Sequence, residues 1–206
     1  YYGCDKCTQP GQSINRRMCF FETDAPSRTD EDFRLGKDHD KEEYQEHIKG
    51  ETPLLDLPIN MITAFPTDYM HVVCLGVMRR LLKIYVYSRD ARVKLTAEKL
   101  ARVNDKLVQM ARHTPNLFVR KPRTLHELEN FKATEFRTFL LYTGKIVLSG
   151  MMNGSCYQHF LSLSVAIAIL LSPVLVSQYL QFAHELLVHF VERGRELYGD
   201  EFVTFN

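Results

Sequence analysis

A chain of 206 residues with 45% hydrophobic and 25% charged side chains has the make-up of an ordinary folded domain, not of a disordered tail or a fibrous repeat. Its net charge of +1 argues against a nucleic-acid partner only until the charge is divided along the chain. Residues 1–66 carry 8 basic and 13 acidic side chains, residues 67–123 carry 13 and 4, and residues 124–206 carry 5 and 8, so the positive charge is concentrated in the middle third.

Residues 1–22 are rich in Gly, Pro, Cys and polar side chains, with turns predicted at Gly3 and Pro10-Gly11. Cys4 and Cys7 have the spacing of half a zinc site, in which a short loop points two thiolates at one ion. Cys19, His39 and His47 are the nearby candidates for the other two ligands, and an unliganded or redox-active thiol pair is the competing reading. Residues 23–51 alternate acid and base densely and read as a charged linker with one short helix near 40–48. The segment 1–51 is therefore taken as an irregular Cys-x-x-Cys and charged unit, and 52–206 as a helical domain. Residues 52–66 are apolar and proline-punctuated, an irregular cover leading into the first long helix.

That helix is predicted from Thr67 to Tyr85. Pro66 bars helix before it, Thr67 suits the N-cap, and Asp68 places a carboxylate on the positive end of the dipole. Met70, Val73, Cys74, Val77, Met78, Leu81, Ile84 and Tyr85 recur at three- and four-residue steps as one apolar stripe, with Arg79, Arg80 and Lys83 largely off it. Asp68 and His71, three apart, share one side of the first turn, either as a site or as a capping carboxylate beside a half-buried imidazole.

A second helix opens at Thr96 with the stripe Leu100, Val103, Leu107 and Met110, carries Arg102, Lys106 and Arg112 on its other side, and stops before Pro115. The cluster Arg120-Lys121-Pro122-Arg123 follows, and Thr124 with Glu127 reads as a capping box for a kinked helical region running through Phe131, Phe136 and Phe139 towards Gly144. No charge occurs between Lys145 and Glu185. Serines and Pro173 interrupt this stretch, so it reads as a buried helical hairpin, about 156–171 and 173–198, and not as a membrane span. His159, His184 and His189 lie in it as structural histidines. With no sustained two-residue alternation and no Asn-Gly or Asp-Gly turn, no strands are predicted, and the fold class is all-α, a multi-helix bundle with an irregular Cys-containing N-terminal segment.

Asp68-Tyr69-Met70-His71, followed by Cys74-Leu75-Gly76-Val77 and Leu81-Leu82, resembles the Asp-x-Met-His helix of CACTA-type (En/Spm) transposases and their domesticated relatives. Cys4-Asp5-Lys6-Cys7 resembles the family's upstream Cys-x-x-Cys segment, and Phe131-Lys132-Ala133-Thr134-Glu135-Phe136 its downstream Leu-Lys-x-His-Asp block, with Thr134 in place of the histidine. The resemblance implies the helical insertion of an RNase H-like core, lying between the second and third catalytic acids. Zinc would sit on Cys4 and Cys7, its remaining ligands beyond residue 206, and magnesium or manganese would belong to an intact parent enzyme. Asp68 and His71 are then family-motif residues with a structural use, and Glu135 caps its helix or pairs with Arg137.

Cysteine usage bears on the compartment. Five cysteines, an odd number, make no disulfide framework, and Cys74 and Cys156 sit in apolar helical patterns. The expectation is a nuclear, otherwise cytoplasmic, protein without a signal peptide, and the absence of an initiating Met suggests a piece of a longer chain. DNA is the expected partner, through Arg79, Arg80, Lys83, Arg102, Lys106, Arg120, Lys121 and Arg123. The alternative is a domesticated protein–protein module, self-associating or binding another protein through the uncharged hairpin. A stand-alone metal hydrolase using Asp68, His71 and Glu135 is a third reading.

Overall fold

The computed structural model describes residues 3–36 and 52–204. The helix expected near 40–48, together with His39 and His47, lies outside the described residues. The chain forms two compact units, Tyr1–Thr67 with Tyr198–Asn206 and Asp68–Leu197, where the sequence suggests a division after residue 51.

The first unit, here the closing unit, contains a β-hairpin where the sequence predicts no strands. Its strands β1 (Gln12–Ile14) and β2 (Arg17–Cys19) pair antiparallel with Gln12 opposite Cys19. The two-residue turn puts both Asn15 (φ 49°) and Arg16 (φ 63°) in the left-handed region, the requirement of the turn that matches strand twist. Asn15 tolerates that conformation, but Arg16 does not advertise it, so the Asn-Gly signal is missing. Glu201, from the far end of the chain, accepts from the Asn15 side-chain amide at 3.0 Å and pairs with Arg17 at 3.0 Å. The Phe20 N–H donates to the Val203 carbonyl at 3.0 Å, and Cys19 bridges to Thr204.

A short helix, α1 (Asp30–Arg34), is capped by the Thr29 hydroxyl, which accepts from the Asp32 N–H at 3.1 Å. It is tied to the apolar segment after it: the Arg34 guanidinium donates to the carbonyls of Leu55 (2.9 Å) and Ile59 (2.6 Å), and Asp30 accepts from the Met61 N–H. Ionic side chains of the charged segment thus satisfy the backbone of an irregular stretch that has no sheet or long helix of its own.

The second unit is helical, in keeping with the all-α reading, and it departs from the expected regular α-helices in two places. Residues Met70–Met78 form a π-helix, with hydrogen bonds one residue longer than in an α-helix, which passes without a break into α2 (Arg79–Tyr87). Next come α3 (Ala97–His113), a 3₁₀ turn over Leu125–Asn130, and α4 (Ala133–Thr138). A second π-helix (Phe139–Thr143) joins α4 to α5 (Gly144–Val147), and α6 (Gly154–Leu170) and α7 (Pro173–Tyr198) form the hairpin.

Both wide helices depend on a glycine placed five residues after a carbonyl that crowds it. A Cβ at Gly76 would stand 3.0 Å from the His71 carbonyl oxygen, and one at Gly144 would stand 2.6 Å from that of Phe139 and 2.6 Å from the Phe160 ring. The predicted stripe survives the change of pitch: Cys74, Met78, Leu81 and Tyr85 are buried, joined by Leu82 and Val86, while Met70 is exposed. Phe136, Phe139, Leu140 and Phe160 complete the same core, where the Phe139 and Phe160 rings meet edge to face at 6.2 Å.

Local signals at helix ends act unevenly. Thr96 caps α3 as predicted, accepting from the Lys99 N–H at 3.3 Å, and Ser172 accepts from the Leu175 N–H at 3.3 Å ahead of Pro173. The predicted capping box at Thr124 does not form. The buried Asn104 side chain takes the Leu125 N–H at 2.7 Å, Glu127 turns to Arg123, and only 3₁₀ turns follow. Among the described residues no helix is long and apolar enough to cross a membrane.

Candidate functional site

Asp68, not Thr67, caps the first π-helix. One carboxylate oxygen accepts the N–H groups of Met70 (2.8 Å) and His71 (3.2 Å), and the other meets His71 Nδ1 at 2.6 Å. An ionised carboxylate can only accept, so Nδ1 carries the proton of this bond. The His71 ring and the two N–H groups hold the Asp68 carboxyl below the usual carboxylate range. Both side chains are exposed. Beneath them the Tyr69 phenol is raised above its ordinary range by burial and by the neighbouring Cys74 thiol, so it stays neutral. Among the described residues no third carboxylate, imidazole or thiol joins Asp68 and His71 into a metal-holding group.

Glu135 is in a different setting. Its buried carboxylate receives Arg123 Nε at 2.6 Å and Nη2 at 3.0 Å, and it caps α4 by accepting the Lys132 N–H at 2.9 Å. Burial pushes this carboxyl up, but the Arg123 and Lys132 hydrogen bonds outweigh burial and leave it below the usual range. Arg123 also reaches Glu127 at 2.7 Å and the Asn130 carbonyl at 3.0 Å, and stacks over Phe131. The capping role expected for Glu135 is present, and its cation is Arg123 in place of Arg137.

Cys4 and Cys7 stand together. The Lys6 N–H donates to Cys4 Sγ at 3.4 Å, the Arg28 N–H donates to the Lys6 carbonyl at 2.8 Å, and Arg28 Nε donates to the Cys4 carbonyl at 3.0 Å, fixing the loop against residues 26–28. Burial pushes the Cys7 thiol up, and the adjacent Cys4 adds to the rise. The amide-to-sulfur bond and the paired thiols fit one half of a tetrahedral zinc site. No third donor joins them among the described residues, and Cys19 is buried elsewhere.

The eight basic residues expected to face DNA do not share one state. Arg79 and Lys83 both pair with Glu129, at 3.6 and 2.9 Å, Arg102 pairs with Glu98 at 2.7 Å, and Arg123 is spent on Glu135 and Glu127. Arg80 is engaged with a neighbour as well. Lys106, Arg120 and Lys121 form no ion pair among the described residues, and Lys99 and His113, absent from the expected set, join them. On α3 the positions of Lys99, Arg102, Lys106, Gln109 and His113 follow each other at steps of three and four, a polar stripe about 20 Å long opposite buried Val103 and Leu107. The stripe ends at an open groove of about 700 Å³ lined by Gln109, Arg112, His113, Phe118, Thr138 and Tyr142, among others, with no carboxylate in the lining. Spacing along α3 is the signal in the sequence that marks this track. The sum over residues 67–123 hides it by counting cations already matched by acids. No known protein family, curated protein or solved structure matches this chain.

Proposed function

We propose that the helical unit is the DNA-binding insertion of a transposase-derived protein, contacting the nucleic-acid backbone through the track from Lys99 and Lys106 to Arg112, Arg120 and Lys121. The observation that carries this reading is that Lys99, Lys106 and Lys121 form no ion pair among the described residues and that the groove at the end of α3 has no carboxylate in its lining. Unmatched cations keep their field for phosphate, whereas those facing Glu129 or Glu135 must first give up a partner. The connectivity supports the word insertion, because the helical unit leaves the closing unit after residue 67 and re-enters it at residue 198. Asp68 and His71 support the fold at the start of the first π-helix, and metal-dependent strand cleavage with magnesium or manganese belongs to acids outside this chain. In the parent, Cys4 and Cys7 supply two zinc donors, and elemental analysis of the purified chain, expected to hold less than one zinc, tests that assignment.

Duplex DNA titrated against the chain by fluorescence anisotropy at rising salt is the test of DNA binding. Affinity should fall steeply, and Lys106→Gln with Lys121→Gln should flatten the log–log salt slope by about 0.9 for each phosphate no longer neutralised. No binding at low salt overturns the reading.

A second reading has its own observation. The first half of α7 is apolar and exposed, with Val174 67% and Leu180 57% accessible on either side of the break in helical geometry at Tyr179. This surface suits self-association or a protein partner. A concentration-dependent mass in sedimentation, abolished by Leu180→Glu, tests it.

A further inference from the structure

We propose that the groove between the end of α3 and the second π-helix receives an unpaired nucleotide, its base stacked on Tyr142 and its phosphates met by Arg112, Arg120 and Lys121. The inference rests on the DNA reading above and specifies the form of nucleic acid that this part of the track accepts. Tyr142 comes from the second π-helix and is 46% exposed, although four of its neighbours in that helix are buried. Phe118 supports it edge-on, ring centroids 5.3 Å apart and planes at 86°, so the tyrosine ring is braced from the side.

The loop that carries Phe118 turns through a hydrogen bond from its N–H to the Pro115 carbonyl at 3.1 Å. On either side of Phe118, Leu117 is 92% and Val119 83% accessible, the two most exposed large apolar side chains of the described residues. A folded chain gains nothing by leaving them in water.

Polar chemistry then selects among flat ligands. Arg112 and His113 line the groove, and Arg120 and Lys121 line a narrow cleft that shares Thr138 and Thr143 with it. The one carboxylate of that cleft, Glu135, is already bound to Arg123. The carbonyl end of α3 is a negative pole, offset by Arg112 in its last turn, so phosphate belongs towards Arg120 and Lys121 and away from the helix axis. A paired base hides both faces in the duplex stack. Only an unpaired one can offer a face to Tyr142.

The test titrates the full chain with a labelled oligothymidylate of about twelve nucleotides and with a duplex of equal length, using wild type, Tyr142→Ala and Tyr142→Phe. Tyr142→Ala should weaken single-strand binding roughly tenfold and leave the duplex unchanged, while Tyr142→Phe should bind as wild type. A strand carrying 2-aminopurine reads stacking without any mutation: its fluorescence should drop on binding wild type. Binding of both DNAs with no effect of Tyr142→Ala and no quenching overturns this inference and leaves the α3 track standing. Tyr142-dependent binding of the single strand without duplex binding keeps the groove and overturns the duplex reading. Binding of neither overturns both.

Discussion

The two π-helices are built alike and placed differently. Each follows a carboxylate that caps backbone N–H groups, Asp68 for one and Glu135 through α4 for the other, and each has a glycine five residues after a crowding carbonyl. The first is half open to solvent along its Asp68–His71 edge, and the second is buried against α6, where the Ser164 hydroxyl donates to the Leu140 carbonyl at 2.6 Å. The same local device therefore carries different energetic weight. In water, the contacts of the Asp68 carboxylate can be replaced by solvent and the crowding at the glycine relieved by a small shift. In the core, each is surrounded by groups that cannot move.

The largest break in that comparison should come from Arg123→Ala. It leaves the buried Glu135 carboxylate without its cation, a change that costs about 3–5 kcal/mol, and thermal unfolding should show it as a fall in Tm of roughly ten degrees or more. Acid should act on the same buried side. His159 is fully buried, stacks on Phe190 at 4.2 Å and donates from Nε2 to the Phe190 carbonyl at 2.8 Å, and burial pushes its pKa down to about 4. The unfolded chain binds this proton first, so the stability from a neutral His159 is full above pH ~6.5 and falls as pH drops towards 4, by roughly 3 kcal/mol. Urea midpoints from pH 7 to 4 should follow that curve, and His159→Phe should flatten it.

The glycines sharpen the contrast. Gly144→Ala forces a methyl against both the Phe139 carbonyl and the Phe160 ring and should cost about 1–3 kcal/mol. Gly76→Ala meets only the His71 carbonyl and should cost less, as paired melting curves would show. Smallest is Asp68→Ala, which removes the one oxygen that accepts two N–H groups and the His71 contact in the open and should lower Tm by only a few degrees. Neither wild type nor this variant should nick supercoiled DNA with magnesium or manganese. Nicking that vanishes with Asp68 would make the carboxylate catalytic.

Much of the helical unit is legible in the sequence because its signals are local. Thr96, Ser172 and Pro173 mark helix starts by hydrogen bonds made within one turn, and the apolar stripes of α2 and α3 are repeated over several turns. The π-helices are not legible, because Met70, Val73, Cys74 and Val77 recur at α-helical steps and the close approach of Gly76 to the His71 carbonyl appears only in the fold. The capping box at Thr124 fails because the Glu127 side chain is drawn to Arg123 and the Glu127 N–H donates to the Thr124 carbonyl, closing a 3₁₀ turn. The basic track is obscured for a related reason: sequence shows that Arg79, Lys83 and Arg123 are cations, but not that Glu129 and Glu135 fold back onto them. The β-hairpin rests on residues still further away.

That last dependence fixes an order of events during folding. The Asn15–Glu201 contact spans 186 residues, and closing so long a loop is slow until the chain between has collapsed. The helical unit, rich in contacts within one or two turns, can form first and shorten the distance. On a ribosome the hairpin around Cys19 is made well before residues 200–204, so its bridge to Thr204 and its contacts with Glu201 wait until those residues emerge.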